Sequence, residues 1–235
     1  GGQARSAAGE AAEVVLPSPA PLSAPPGEYD VDVSLNGVVQ TFKLRARRGL
    51  LARKLMQPPT LDGMLDDWTL PPTLSEFEPF GGEQNISQQT QAWIGYDEDA
   101  LYLAVHCAED RMEQLRANVT EPDGPVWEDD DLAIFLDPGA SRSLYYQFEI
   151  NPLGTVYDSH NDDRTWNSGA SIQSKLESDA WVLEMAIPWS ALGSVPDSGS
   201  RWGINLGRQE KPHGETSSIT STFKETAAFA DLIFE

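Results

Sequence analysis

The run Pro125-Val126-Trp127-Glu128-Asp129-Asp130-Asp131-Leu132-Ala133-Ile134-Phe135-Leu136-Asp137-Pro138 sets an indole and four consecutive carboxylates at the mouth of an alternating strand. An aromatic plane stacks on a flat apolar face, and carboxylates accept hydrogen bonds from hydroxyls or ligate a cation. The pattern points to binding at the rim of a β-sandwich. Acid–base chemistry is a weaker fit: Glu149 and Glu184 form an imaginable pair, but both sit on alternating strand positions in a chain with 37 acidic residues, where chance pairs are expected. His106, His160 and His213 lack metal-ligand spacing, and there is no Gly-x-Ser-x-Gly elbow or phosphate-binding loop. Catalysis is not expected.

The elements that must hold these residues are strands. Alternating runs cover 89–96, 101–107, 131–136, 145–151, 154–159, 170–176, 181–187, 202–209 and 230–234, punctuated by Gly, Pro, Asn and Asp. Short strands of this kind predict an all-β, antiparallel sandwich. Pro188–Gly193 reads as one helical turn, with Pro at its start and Gly at its end. Trp181 is in phase with Leu183, Met185 and Ile187, and Trp202 with Ile204 and Leu206, which assigns both indoles to the core. The single Cys107 is in phase with Leu101, Leu103 and Val105, so it reads as a small buried apolar residue and excludes an intrachain disulfide.

Ahead of the sandwich, residues 1–27 are rich in Ala, Pro and Gly and read as a linker. Residues 29–35 and 38–44 alternate on either side of Asn36-Gly37, the pair that best supplies the positive φ angles of a tight hairpin. The hairpin and the basic stretch after it, with Arg45, Arg47, Arg48, Arg53 and Lys54, form a segment 28–57 that packs on the main domain or remains from a preceding one. Docking of the basic patch on the acidic domain is one reading, and contact with an anionic surface the other.

Formal charge is −21 over 235 residues, and residues 58–235 carry nine basic against 32 acidic side chains. Such a field repels phosphate backbones, so nucleic acid is not an expected partner. No stretch approaches the ~20 apolar residues of a membrane span. The longest apolar run near the start, Val14-Val15-Leu16, is too short for a secretory signal.

Several ordered motifs stand together: Leu61-Asp62-Gly63-Met64-Leu65-Asp66-Asp67-Trp68, the 125–138 run, Tyr146–Asp158, Trp181–Trp189 and Trp202–Arg208. Over residues 58–235 this series resembles the family 9 carbohydrate-binding modules and their relatives. The resemblance implies a jelly-roll type sandwich and a non-catalytic module that binds polysaccharide or oligosaccharide. It would be secreted, periplasmic or on the cell surface, attached to other domains of a larger extracellular protein. It further implies a slot between two aromatic rings. Trp127 matches the first ring; the second, counted back six residues from Phe229, falls on Phe223. Two polar positions depart from the pattern, with Ala133 in place of a Glu and Glu149 in place of an Arg. Asn151, Asn205, Arg208 and Gln209 are the candidates to compensate. Family members carry structural calcium, for which Asp129, Asp130 and Asp158 are the candidate ligands, although Asp130 and Asp131 also suit loop capping. Related sandwiches hold haem through Met, Lys or His, here Met64, Met112, His106 or His160. A structural or protein-contact sandwich with a degenerate slot is the alternative function.

Overall fold

A computed structural model describes residues 26–35, 38–82 and 85–235. The expected linker lies outside these residues apart from its last two, as does the Asn36-Gly37 turn. The chain divides into two compact units, Gly1–Ala46 and Arg47–Glu235. In the first, β1 (Gly27–Leu35) pairs antiparallel with β2 (Val38–Ala46), in register from Gly27↔Ala46 to Leu35↔Val38. Opposite charges meet across this ladder, Asp30 with Lys43 at 3.3 Å and Glu28 with Arg45. Such exposed pairs contribute little each.

The second unit is the sandwich. Its strands are β3 (Gly49–Lys54), β4 (Glu78–Pro79), β5 (Thr90–Tyr96), β6 (Ala100–Ala108), β7 (Asp131–Asp137), β8 (Tyr146–Ile150), β9 (Val156–His160), β10 (Ser171–Leu176), β11 (Ala180–Pro188), β12 (Arg201–Glu210), β13 (Glu215–Ser218) and β14 (Ala230–Phe234). One sheet runs β14-β12-β7-β8-β9 and the other β10-β11-β6-β5. The strands β3, β4 and β13 lie outside the alternating runs of the sequence. β3 also breaks the antiparallel expectation: it runs parallel to β14 from Asp231↔Gly49 to Phe234↔Ala52, then parallel to β5 at Arg53↔Gly95 and Lys54↔Tyr96. Residues 47–57 therefore belong to the sandwich and not with the hairpin. Leu50 and Ala52 enter the core while Arg53 pairs with Glu235 at 3.3 Å, and Arg48 bonds the Glu76 carbonyl at 2.7 Å and Glu78 at 3.0 Å.

Alternation fills the interior. Leu132, Ile134 and Leu136 of β7, Phe148 and Ile150 of β8, Trp181, Leu183, Met185 and Ile187 of β11, and Trp202, Ile204 and Leu206 of β12 share one buried core. Cys107 is fully buried there, and burial pushes its thiol up to about 12. The helical turn is α1 (Trp189–Leu192), ended by Gly193 at φ 65°. On the outer face of β11, buried Glu184 accepts hydrogen bonds from the backbone of Asp62 (2.9 Å) and Gly63 (2.8 Å) and from Trp68 Nε1 (3.0 Å). That carboxylate pins the 58–70 loop, and it sits on the opposite sheet from Glu149. No described helix is long and apolar enough to cross a membrane.

Candidate functional site

The strand register decides which side chains share the face of the β12-β7-β8-β9 sheet that points away from the core. One row across it is Gly207, Ala133, Glu149 and Tyr157; the next is Asn205, Phe135, Gln147 and Ser159. Trp127 overhangs this face from a 3₁₀ turn, Val126–Glu128, with 36% of its surface exposed. Its ring meets Tyr157 edge-on, centroids 5.4 Å apart at 89°, and the Arg164 guanidinium lies 5.9 Å from the Trp127 ring centroid and 5.4 Å from that of Tyr157. A cleft of about 190 Å³ opens here, lined by Trp127, Gln147, Glu149, Tyr157, Arg164 and Lys224. At ~30 Å³ per liquid water, this is room for about six waters or one ring-sized ligand.

The acids that follow Trp127 hold it in place. Asp129 accepts from the backbone of Asn118 and Val119, each at 2.8 Å, and from Asn151 Nδ2 at 3.0 Å. Asp130 accepts from the backbone of Arg116 (2.8 Å) and Lys211 (3.0 Å). Lys211 Nζ in turn donates to the Trp127 carbonyl at 2.9 Å and to Gln209 Oε1 at 3.2 Å.

The floor differs from the rim in its hydrogen bonding. Six buried side-chain oxygens on this face have no protein partner: both of Asp131, Oε1 of Gln147, Oε2 of Glu149, Oγ of Ser159 and Oδ1 of Asn205. Native proteins rarely leave buried acceptors unpaired, and of these residues Gln147 and Glu149 line the cleft, while Asp131, Ser159 and Asn205 lie on the same face outside its lining. Burial, followed by the nearby Glu149 charge, raises Asp131 well above the ordinary carboxylate range. Burial also raises Glu149, against the Gln147 hydrogen bond and the charges of Lys224, Arg164 and Lys211.

The sequence-predicted residues scatter around this cleft. Trp127 lines it. Phe223 packs flat over Gly207, against Phe80 and Phe135 (centroids 5.0 and 6.4 Å), and its neighbour Lys224 faces the cleft instead. A Cβ on Gly207 would come within 2.3 Å of the Phe223 ring, so glycine is what admits this contact. Arg208 is on the core side, 1% exposed, donating to the Ala108 carbonyl at 2.8 Å, and cannot reach the cleft. Asn151 is fully buried and spent on Asp129 and the Val119 carbonyl. Asn205 is on the right face but donates to the Thr222 and Phe223 carbonyls (2.7 and 2.9 Å), and Gln209 accepts from Lys211. Gln147, Tyr157, Arg164 and Lys224 were not among the sequence candidates; period-two parity carries a signal for the first two, and none for the loop residues Arg164 and Lys224.

For calcium, Asp129, Asp130 and Asp158 do not fit: each carboxylate is used locally, Asp158 by Ser168 N at 2.9 Å and Oγ at 2.5 Å, and they do not converge. Among the described residues, the group whose ligand atoms lie within 4.8 Å of one another is Glu109, Glu210 and His213. His213 Nδ1 is 2.9 Å from Glu210 and its Nε2 3.0 Å from Asp110; Glu109 is 3.7 Å from Arg208. Burial, with the adjacent Glu210 carboxylate adding to it, pushes Glu109 up to about 7.

Comparison with known proteins fits this architecture. Residues 61–231 match the family model described as carbohydrate family 9 binding domain-like. The chain belongs to that family. A family 9 module from Caldicellulosiruptor kristjanssonii, solved in complex with glucose, shares the fold at TM-score 0.59 and 15% identity over 80% of this chain and 96% of its own. The same values hold against its cellotriose complex, with 94% of that chain covered. A Bacteroides uniformis ATCC 8492 structure aligns at TM-score 0.63 and 20% identity over 81% of this chain and 100% of its own. No curated protein matches the chain.

Proposed function

We propose that this family 9 domain is a non-catalytic carbohydrate-binding module whose ligand lies in the cleft beneath Trp127. The observation that carries the reading is the cleft itself, in which the polar side chains of Gln147 and Glu149 lie with Arg164 and Lys224 beside an exposed indole. A sugar supplies what both need, hydroxyl donors for the floor and a C–H face for the ring. The complexes of the Caldicellulosiruptor kristjanssonii family 9 module with glucose and with cellotriose support the same class of ligand here. Such a module works by proximity, outside the cytoplasm, holding attached domains or a cell near polysaccharide.

A second reading, a structural or protein-contact sandwich with a degenerate slot, is favoured by one feature: Phe223 packs over Gly207 and does not line the cleft as a ring opposing Trp127. Calorimetric titration of the intact chain against gluco-, xylo-, manno- and acidic oligosaccharides separates the two. Saturable one-site binding supports the module; silence across the panel favours the second reading.

A further inference from the structure

Cationic side chains gather at the cleft although the domain as a whole is acidic. Residues 58–235 hold nine basic side chains against 32 acidic ones, yet three of the nine, Arg164, Lys211 and Lys224, gather at this cleft. Their uses differ. Lys211 is tied to the Trp127 carbonyl and Gln209, and Lys224 makes an exposed pair with Asp162 at 3.3 Å, about half of each side chain or more open to water. Among the described residues Arg164 has no carboxylate or carbonyl partner; it contacts only the faces of Trp127 and Tyr157. Its fork of donors is therefore free to take two oxygens of a planar anion.

Floor and rim thus ask for opposite things. The floor offers acceptors and calls for donors, as ring hydroxyls are; the rim offers cationic donors and calls for an anion. A metal ion or an ammonium group would satisfy the floor but must sit under Arg164 and Lys224. A neutral hexose satisfies the floor and leaves the rim unused.

We propose that the ligand of this cleft is a carboxylate-bearing pyranose, a hexuronate, with its ring hydroxyls on the Gln147–Glu149 floor, one face toward Trp127 and its carboxylate on Arg164 and Lys224. The assignment rests on the carbohydrate reading above and narrows it to acidic glycans. A charge-assisted contact from a fixed guanidinium to a carboxylate exceeds a neutral hydrogen bond severalfold in binding constant. Because the rim is solvent-exposed, the preference weakens with salt.

The test pairs each acid with its neutral parent: glucuronic acid with glucose, galacturonic acid with galactose, and the corresponding disaccharides, titrated calorimetrically against the full chain at about 50 mM and about 300 mM salt. Expected is roughly tenfold tighter binding of at least one uronate than of its parent at low salt, shrinking at high salt. Arg164→Gln and Lys224→Gln should each lower the ratio, and the double variant should bring acid and parent to equal affinity; both sites are at the surface, and melting curves verify that the variants fold. Acetate at the same concentrations should not bind, since the ring contacts are missing. Equal or tighter binding of the neutral sugars overturns the hexuronate assignment and leaves the module reading standing. Absence of binding by every sugar overturns both, and a preference that survives undiminished in the double variant overturns the role of the rim.

Discussion

Replacement of Trp127 by Ala separates a ligand wall from a core residue, because the two roles predict different sizes of effect on two observables. Trp127 is 36% exposed, and its contacts are an edge-on ring pair with Tyr157 and the Arg164 guanidinium. An aromatic pair contributes about 0.5–1.5 kcal/mol and an exposed cation–π contact about 0.5–1 kcal/mol, so truncation should cost roughly 1–2.5 kcal/mol. For a domain of this size that lowers Tm by roughly 2–10 °C. Trp181→Ala, at a fully buried position, leaves a cavity and should cost about 3–5 kcal/mol. Binding responds in the opposite order. A pyranose face laid on the indole buries on the order of 60 Å² of apolar surface, about 1.5 kcal/mol, or somewhat more than tenfold in Kd. Scanning calorimetry of both variants, followed by titration of each below its Tm, reads both quantities. A Trp127→Ala protein that melts as early as Trp181→Ala would place the indole among the structural residues, and one that melts a few degrees early yet binds as the parent does would remove it from the site.

Two other perturbations follow from buried acids. Glu184→Gln replaces one acceptor oxygen by an N–H group facing N–H donors from the 58–70 loop, costing about 2–3 kcal/mol; limited proteolysis should then cut that loop first, and unchanged resistance there would show that Glu184 does not pin it. Glu109 is raised to about 7 and His213 is raised above its ordinary value, so each contributes stability that is present at low pH and lost as pH climbs through its folded-state value. Asp129 and Asp163 are lowered and act oppositely, losing their contribution below about pH 4. Tm should therefore peak near pH 5–6 and decline toward pH 8. In Glu109→Gln that decline should flatten even if the whole curve is lower, and a slope as steep as the parent's would assign the decline to other groups.

The fold was legible where one physical rule governed a whole segment. Period-two alternation between turn residues located the nine strands whose one face meets the core, from Thr90–Tyr96 to Ala230–Phe234. It passed over Gly49–Lys54, whose charged residues read as a basic patch, because a strand lying parallel between β14 and β5 owes its existence to partners distant in sequence. At the site the same rule applies. Arg208 has the parity of Trp202, Ile204 and Leu206, and the phase that sent those residues inward sends its guanidinium inward as well, whereas Gln147 and Tyr157 have the parity of the open face. The resemblance offered Asp129, Asp130 and Asp158 as calcium ligands and loop capping as the other use for Asp130; an acid next to a loop finds backbone N–H groups first, as Asp129 and Asp130 do. Arg164 and Lys224 come from loops with no periodicity, and only the completed sheet brings them over one cleft. What sequence could supply was therefore the wall at Trp127. What it could not supply was the opposition between an acceptor floor and a cationic rim, which exists only once four strands are in register and two loops have closed over them.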